Sequence, residues 1–122
     1  MAGREVSAPI TLPFPPAVNN LFATYGGHRI RSRRYEAWLK EAGTLLALQR
    51  PKPVSGPFLA TLVFTRPDRR KRDLDGLAKA PLDLLVKHGV IRDDSDAVSL
   101  RLSWSESLPN PKAGVSLVLE AA

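Results

Sequence analysis

Asp73 and Asp75 flank Leu74, and Lys79 follows four residues beyond the second carboxylate. In an extended or turn segment, side chains two residues apart project to one side. The two acids can then share a cation. In a helix they would diverge by about 200°, so sharing requires Asp73, at least, to lie outside any helix. Gly76 behind the pair and the basic run ahead of it are compatible with that. Asp93, Asp94 and Asp96 form a second acidic group. Carboxylate oxygens of this kind can hold a divalent cation. Each residue also has a plainer role. Asp75 can cap a helix, and Asp93 to Asp96 can be a solvated turn. Lys79 can be an i,i+4 partner of Asp75 on one helical face, contributing roughly 0.2–0.5 kcal/mol. In the chemical role Lys79 is a cation beside a metal, where it holds a phosphate, positions a water or neutralises growing charge.

The surrounding charge favours the chemical role. Eighteen Lys and Arg stand against twelve Asp and Glu, a net +6, with a pI near 10.2. Such an excess on a small chain favours a polyanionic partner. One basic window holds Arg29, Arg31, Arg33, Arg34 and Lys40; the other holds Arg66, Arg69, Arg70, Lys71 and Arg72. All seven aspartates fall between positions 68 and 96. Carboxylates beside a phosphate grip repel the ligand, unless a divalent cation reverses the local field. Neither acidic group fits two familiar patterns. An EF-hand needs a glycine and a terminal glutamate that are missing here. The string Asp73-Leu74-Asp75-Gly76 is similar to the nucleophile motif of haloacid-dehalogenase phosphatases, but that motif follows an apolar strand and this one follows Arg69 to Arg72.

Composition narrows the class further. The 122 residues suit one domain, 1–122. With no cysteine, a disulfide scaffold, a thiolate metal site and a Cys nucleophile are excluded. Two histidines, His28 and His88, cannot make a His-rich zinc centre. No apolar run approaches the length of a membrane span, and Met1 to Glu5 begin no signal-peptide core. A soluble intracellular protein is expected.

These residues need elements to position them. Val6 to Leu12 reads as a strand, stopped by Pro13-Phe14-Pro15-Pro16. Asn19-Asn20 and Gly26-Gly27 mark turns, and Thr24 to Arg31 has room for a short hairpin. Ser32 can cap a helix from about Arg33 to Gln49, whose apolar face carries Tyr35, Trp38, Leu39, Ala42, Leu45 and Leu46. Phe58 to Thr65 reads as a central strand, apolar on both faces. A second helix is expected over about Asp75 to His88, ended by Gly89. Pro81 opposes it: inside a helix, proline costs about 3 kcal/mol, so the helix must kink or start later. Val98 to Trp104 alternates as a half-exposed strand, and Val115 to Glu120 returns as the last. The order β-α-β-α-β-β predicts an α/β or α+β domain, a small mixed sheet with two helices.

With these positions in place, the sequence resembles the RusA-type crossover junction endodeoxyribonucleases. Pro67 to Asp75, then Leu77 and Lys79-Ala80, is similar to the central motif of that family. Leu12 to Pro16 with Asn19-Asn20 is similar to its opening strand and loop, and Asp83, Leu85, Gly89 and Asp93-Asp94 follow in order. Gly76 departs from the Asn common there, and Pro81 from an ordinary helix former.

The resemblance implies a Mg²⁺-dependent endonuclease, with Mn²⁺ able to take its place, that resolves Holliday junctions by paired symmetric nicks in DNA recombination and repair. It implies Asp73, Asp75 and Asp94 as metal-binding residues and Lys79 as the essential lysine. Arg69, Arg70, Lys71 and Arg72, with Arg29 and Arg31, are the expected DNA contacts. The implied partners are four-way junction DNA and a second copy of the chain, with no membrane. The implied setting is the cytoplasm, with a bacterial or phage gene. A two-fold junction matches a two-fold dimer; Phe14, Phe22 and Trp38 are candidates for its interface. The rival expectation is a basic, non-catalytic DNA-binding accessory protein of the same fold.

Overall fold

The computed structural model describes residues 6–122; Met1 to Glu5, read above as lacking a signal-peptide core, lie outside the described residues. The elements run β1 (Ile10–Pro13), β2 (Phe22–Tyr25), β3 (His28–Arg31), α1 (Arg33–Gln49), β4 (Phe58–Phe64), α2 (Lys79–Lys87), β5 (Ala97–Trp104) and β6 (Gly114–Ala121). Three short 3-10 turns, Val18–Asn20, Leu74–Leu77 and Asp94–Asp96, lie between them. The result is a mixed α+β fold with two α-helices among the described residues.

The main sheet has the order β1-β6-β4-β5. β6 is antiparallel to both β1 and β4, while β4 and β5 run parallel. β4 is central, as its apolar run predicts. Its core-side residues Phe58, Ala60, Leu62 and Phe64 are buried, whereas Leu59 and Val63 on the second face are only half covered. β5 is an edge strand. A register shift at Phe58/Leu59 interrupts its pairing, and Val98 and Leu100 stay exposed despite the alternation.

β2 and β3 make a separate ribbon. Its two turn glycines, Gly26 and Gly27, have φ of 54° and 79°. Such a two-residue turn needs positive φ at both positions, which glycine adopts without strain. This ribbon adds two strands to the predicted order.

Helix α1 starts where Ser32 predicts. The Ser32 hydroxyl accepts from the Tyr35 amide (3.1 Å) and donates to the Asn20 carbonyl (2.6 Å). One side chain thus caps the helix and ties the proline-asparagine loop to it. At the other end, Gln49 reaches β1 and bonds both the amide and the carbonyl of Thr11, each at 2.8 Å. Trp38 is buried in the core and donates its indole N–H to the Pro13 carbonyl at 3.0 Å. It is therefore unavailable as an interface residue. Phe14 and Phe22 are half-buried against the same core.

Two element boundaries differ from expectation. The first strand is shorter: Val6 joins the sheet only through an isolated bridge to Glu120, and the ladder resumes at Ile10. Pro9, which has no N–H to donate, lies in the gap. The second helix starts later. Leu74–Leu77 is a 3-10 turn, and α2 proper begins at Lys79. That places Pro81 third in the helix, where an N–H has no intrahelical acceptor. Leu82 is the residue whose amide reaches back to the Ala78 carbonyl (3.2 Å). The conflict that Pro81 posed is resolved by register, without a kink.

Pro81→Ala should therefore change stability by no more than about 1 kcal/mol, the scale of unfolded-chain entropy at such a site. Leu84→Pro, one turn further on, should cost at least about 3 kcal/mol. Thermal unfolding followed by circular dichroism compares them. A gain approaching 3 kcal/mol in Pro81→Ala would mean that the proline strains α2.

Candidate active site

The basic segment leaves the end of β4 and is shaped by one carboxylate. Asp68 accepts two N–H bonds from the Arg72 guanidinium (2.7 and 3.1 Å) and one from the Arg70 amide (2.9 Å). The Arg72 bonds, then the Arg70 amide, hold its pKa down from 3.8 to about 2. The same pairing raises that of Arg72. Arg72 also lies over the Phe14 ring at 5.3 Å, and Arg66 over Trp104 at 4.0 Å. Arg72 is thus folded onto the protein, while Arg69, Arg70 and Lys71 are exposed. Asp68 has a purely structural reason to sit in the basic patch, contrary to the expectation that acids there imply a cation.

Asp73 and Asp75 come next. Asp73 has extended backbone (φ −80°, ψ 118°) just ahead of the 3-10 turn, and its side chain caps nothing; Asp75 lies in the first turn. The condition for a shared cation, Asp73 outside the helix, is met. Both acids are exposed, and neither makes an ion pair or side-chain hydrogen bond among the described residues.

Lys79 opens α2. A cation at a helix N-terminus opposes the macrodipole, so its position needs compensation. Asp83 supplies it at 3.0 Å, one turn on, and Asp94 at 3.4 Å, from the turn before β5. Together they raise the lysine pKa, Asp83 most. The expected Asp75–Lys79 pair is absent among the described residues, because the helix break between them takes Asp75 off the face of α2. Asp83 was missed as a site residue; its i,i+4 spacing from Lys79 was the available signal.

The second acidic group separates by role. The Asp93 carboxylate accepts from the Ser95 amide (2.8 Å), which lowers its pKa. Asp96 is clasped by Arg92 at 3.0 and 3.1 Å. Asp94 faces Lys79. The ribbon cations are less committed. Arg29 lies 3.9 Å over the Phe22 ring, and Arg31 pairs loosely with Glu36 at 3.7 Å. Arg31 and Asp83 line one shallow hollow, which puts the ribbon beside α2.

The structure brings Lys79, Asp83 and Asp94 together. It does not gather Asp73, Asp75 and Asp94 into one cage: among the described residues, no three acids or histidines are grouped for a metal. Like charges repel without a cation between them. The donor chemistry still fits Mg²⁺, which is commonly held by one or two carboxylates and several waters. Asp73 and Asp75 are uncommitted oxygen donors, and Asp94 is engaged by Lys79 and by the neighbouring Asp93 carboxylate.

Residues 13–117 match the protein family described as Endodeoxyribonuclease RusA. The chain is 34% identical over 98 residues to the crossover junction endodeoxyribonuclease of Enterobacteria phage 82, covering 76% of this chain and 78% of that one. It is 32% identical over 94 residues to that of Escherichia coli K12, with the same coverage. Against that of Enterobacteria phage HK97 it is 25% identical over 107 residues, covering 87% and 89%.

The Asp68–Arg72 clasp has a definite pH signature. A depressed carboxyl pKa contributes stability above the ordinary value of 3.8 that is lost as pH falls through about 2. A carbon-13 NMR titration should place the Asp68 midpoint at about 2, and Arg72→Ala should move it up toward 3.8. An unmoved midpoint would mean that the clasp does not form in solution.

Proposed function

The chain belongs to the endodeoxyribonuclease RusA family, and from that premise we propose that it is a Mg²⁺-dependent endonuclease that resolves Holliday junctions by paired, symmetric nicks in recombination and repair. One observation carries the catalytic assignment. Lys79, held between Asp83 and Asp94, follows in the chain a turn whose start carries two uncommitted carboxylates, Asp73 and Asp75, and these in turn follow a loop of exposed cations.

A bound Mg²⁺, or Mn²⁺ in its place, supplies Lewis-acid polarisation of the phosphate and a water of lowered pKa. Asp73, Asp75 and Asp94 are the side chains proposed to hold it. Lys79 offers its ammonium to the charge that grows on the phosphate oxygens. Asp83 keeps that ammonium in place once Asp94 turns to other work. Arg69, Arg70 and Lys71, with Arg29 and Arg31, neutralise neighbouring phosphates. Arg72 shapes the loop through Asp68 and contributes less directly. The absence of cysteine and the positions of His28 and His88 favour direct attack by water.

Two cuts across a two-fold junction call for two such sites on one axis, so we propose that residues 1–122 act as one nuclease domain in a homodimer. No helix among the described residues is long and apolar enough to cross a membrane. The phage and bacterial relatives support a cytoplasmic setting with a bacterial or phage gene.

Incubation with a labelled synthetic four-way junction and Mg²⁺ should give paired nicks, with little cutting of a matched duplex and none in EDTA. Junction binding without nicking at any Mg²⁺ concentration would instead favour the non-catalytic accessory protein.

Asp73→Asn, Asp75→Asn and Asp94→Asn should each abolish nicking while preserving or tightening junction binding, since each removes a ligand charge and a phosphate repulsion. Lys79→Ala should lower the single-turnover rate on prebound junction by roughly 10²-fold or more. Lys79→Arg should restore only part, because a planar guanidinium is not a compact charge. A Lys79→Ala rate within about threefold of the parent, far inside that loss, would make Lys79 a surface residue.

A further inference from the structure

Beside the 3-10 turn that carries Asp75 lies a cleft of about 390 Å³, a volume within the ordinary range for ligand sites. Its floor is Leu77, the last residue of that turn. Its walls come from three separate segments: the proline-asparagine loop ending at Asn20, the first turn of α1 with Arg34, and the basic loop with Arg70, Lys71 and Arg72. Four cations line it and no acid does. Asp68, two residues before that loop wall, is already spent on Arg72 and Arg70, and Asp73, the residue after it, does not line the cleft. Two separate segments therefore bring cations to one hollow, and two of the four, Arg34 and Lys71, have no ion-pair partner among the described residues. That arrangement costs self-repulsion unless an anion occupies it.

The aromatic liners tell what kind of anion. Phe14 is stacked on Trp104 at 6.3 Å and covered by Arg72; Trp38 is stacked on Tyr35 at 6.4 Å and only 5% exposed. Neither offers an open face for a base. The cleft can grip a phosphate and its sugar, and it cannot read a base by stacking.

We infer that this cleft is a backbone-phosphate site for the DNA strand next to the cut, with Arg34 and Lys71 gripping the phosphate from opposite elements and Asn20 at its rim. The inference rests on the nuclease proposal for the source of the phosphate, and on the cleft alone for its chemistry. Arg34 gains a specific role here, because the fold of the loop against α1, held by Ser32, brings it opposite residues far along the chain.

The test is fluorescence anisotropy of a labelled four-way junction in EDTA across a salt series. Arg34→Gln should weaken binding and flatten the plot of log K against log salt by about 0.9 for each protomer, about 1.8 for a homodimer on one junction. Arg34→Gln with Lys71→Gln should flatten it by about twice that. The loss should be equal on junctions of different sequence at the cut, since backbone contacts carry no base information. Lys87→Gln, at the far end of α2, should leave the slope unchanged. A parental slope in a folded Arg34→Gln protein overturns the inference, as does a loss confined to particular sequences. Thymidine monophosphate and inorganic phosphate distinguish the source. If Arg34→Gln abolishes their binding but leaves the junction slope intact, the cleft serves a free phosphate and the strand assignment falls. Failure is separable from that of the nuclease proposal. A parent that cuts junctions beside an Arg34→Gln protein of parental slope sinks the cleft alone. A parent that cuts nothing, with the slope change present on single-stranded DNA, sinks the resolvase and keeps the cleft.

Discussion

β4 and β5 lie side by side and run in the same direction. No tight turn can join such strands, so the chain must leave the end of one and travel back to the start of the other. Residues 65–96 make that journey. They contain the basic loop, both uncommitted carboxylates, Lys79, Asp83 and Asp94. The constraint of parallel pairing thus does two things at once. It makes a long connection obligatory, and it anchors both ends of that connection on rigid strands. A site built on this crossover inherits its positioning from the sheet, buries its apolar middle in the core and keeps Asp73, Asp75 and Lys79 on the surface, where a large ligand can reach them.

Within the crossover, charge is sorted by competition among neighbours. Three acids are used up locally: Asp68 on Arg72, Asp93 on the Ser95 amide and Asp96 on Arg92. Those bonds fix the loop and the turn before β5. Asp83 and Asp94 share one ammonium. Only Asp73 and Asp75 are left without a partner among the described residues. A cluster of seven like-charged side chains is thereby divided into a frame and a reactive remainder. The division explains why a dense acidic region is tolerated next to a basic one. Surface ion pairs of this kind contribute little stability individually, about 0–1 kcal/mol; their effect here is to hold direction.

The break between the 3-10 turn and α2 is the second local device. A continuous helix from Asp75 would put Pro81 inside it and swing Asp75 onto the face of Lys79. Starting α2 at Lys79 removes both problems. It satisfies the proline, points the lysine at Asp83 and Asp94, and leaves Asp73 and Asp75 on a turn of different pitch. The departure from regular helix falls at the residues proposed for chemistry, where local rules are commonly relaxed.

Much of this was legible in the sequence, because it depends on near neighbours. Ser32 as a cap, the apolar face of α1 apart from the exposed Leu45, β4 as a central strand and Gly89 as a stop all follow from spacing and residue type. So does the need for Asp73 to lie outside a helix. The alternation of β5, by contrast, does not translate into alternate burial. Lys79, Asp73, Asp75 and Asp94 could be singled out as a set only through the resemblance to the RusA family; residue type and spacing alone leave cap, turn and ion-pair roles open as well. Tertiary structure decided the rest, and for one reason: sequence separation hides which partner a charge will choose. Asp68 looked like part of an acidic array, yet a guanidinium four residues on claims it. Asp75 looked like the partner of Lys79, yet Asp83, one turn on, and Asp94, fifteen residues away, take that place. Trp38 could equally have been a surface aromatic until Pro13 and the core enclosed it. Arg34 and Lys71 meet across a cleft only because the proline-asparagine loop, α1 and the crossover fold against one another.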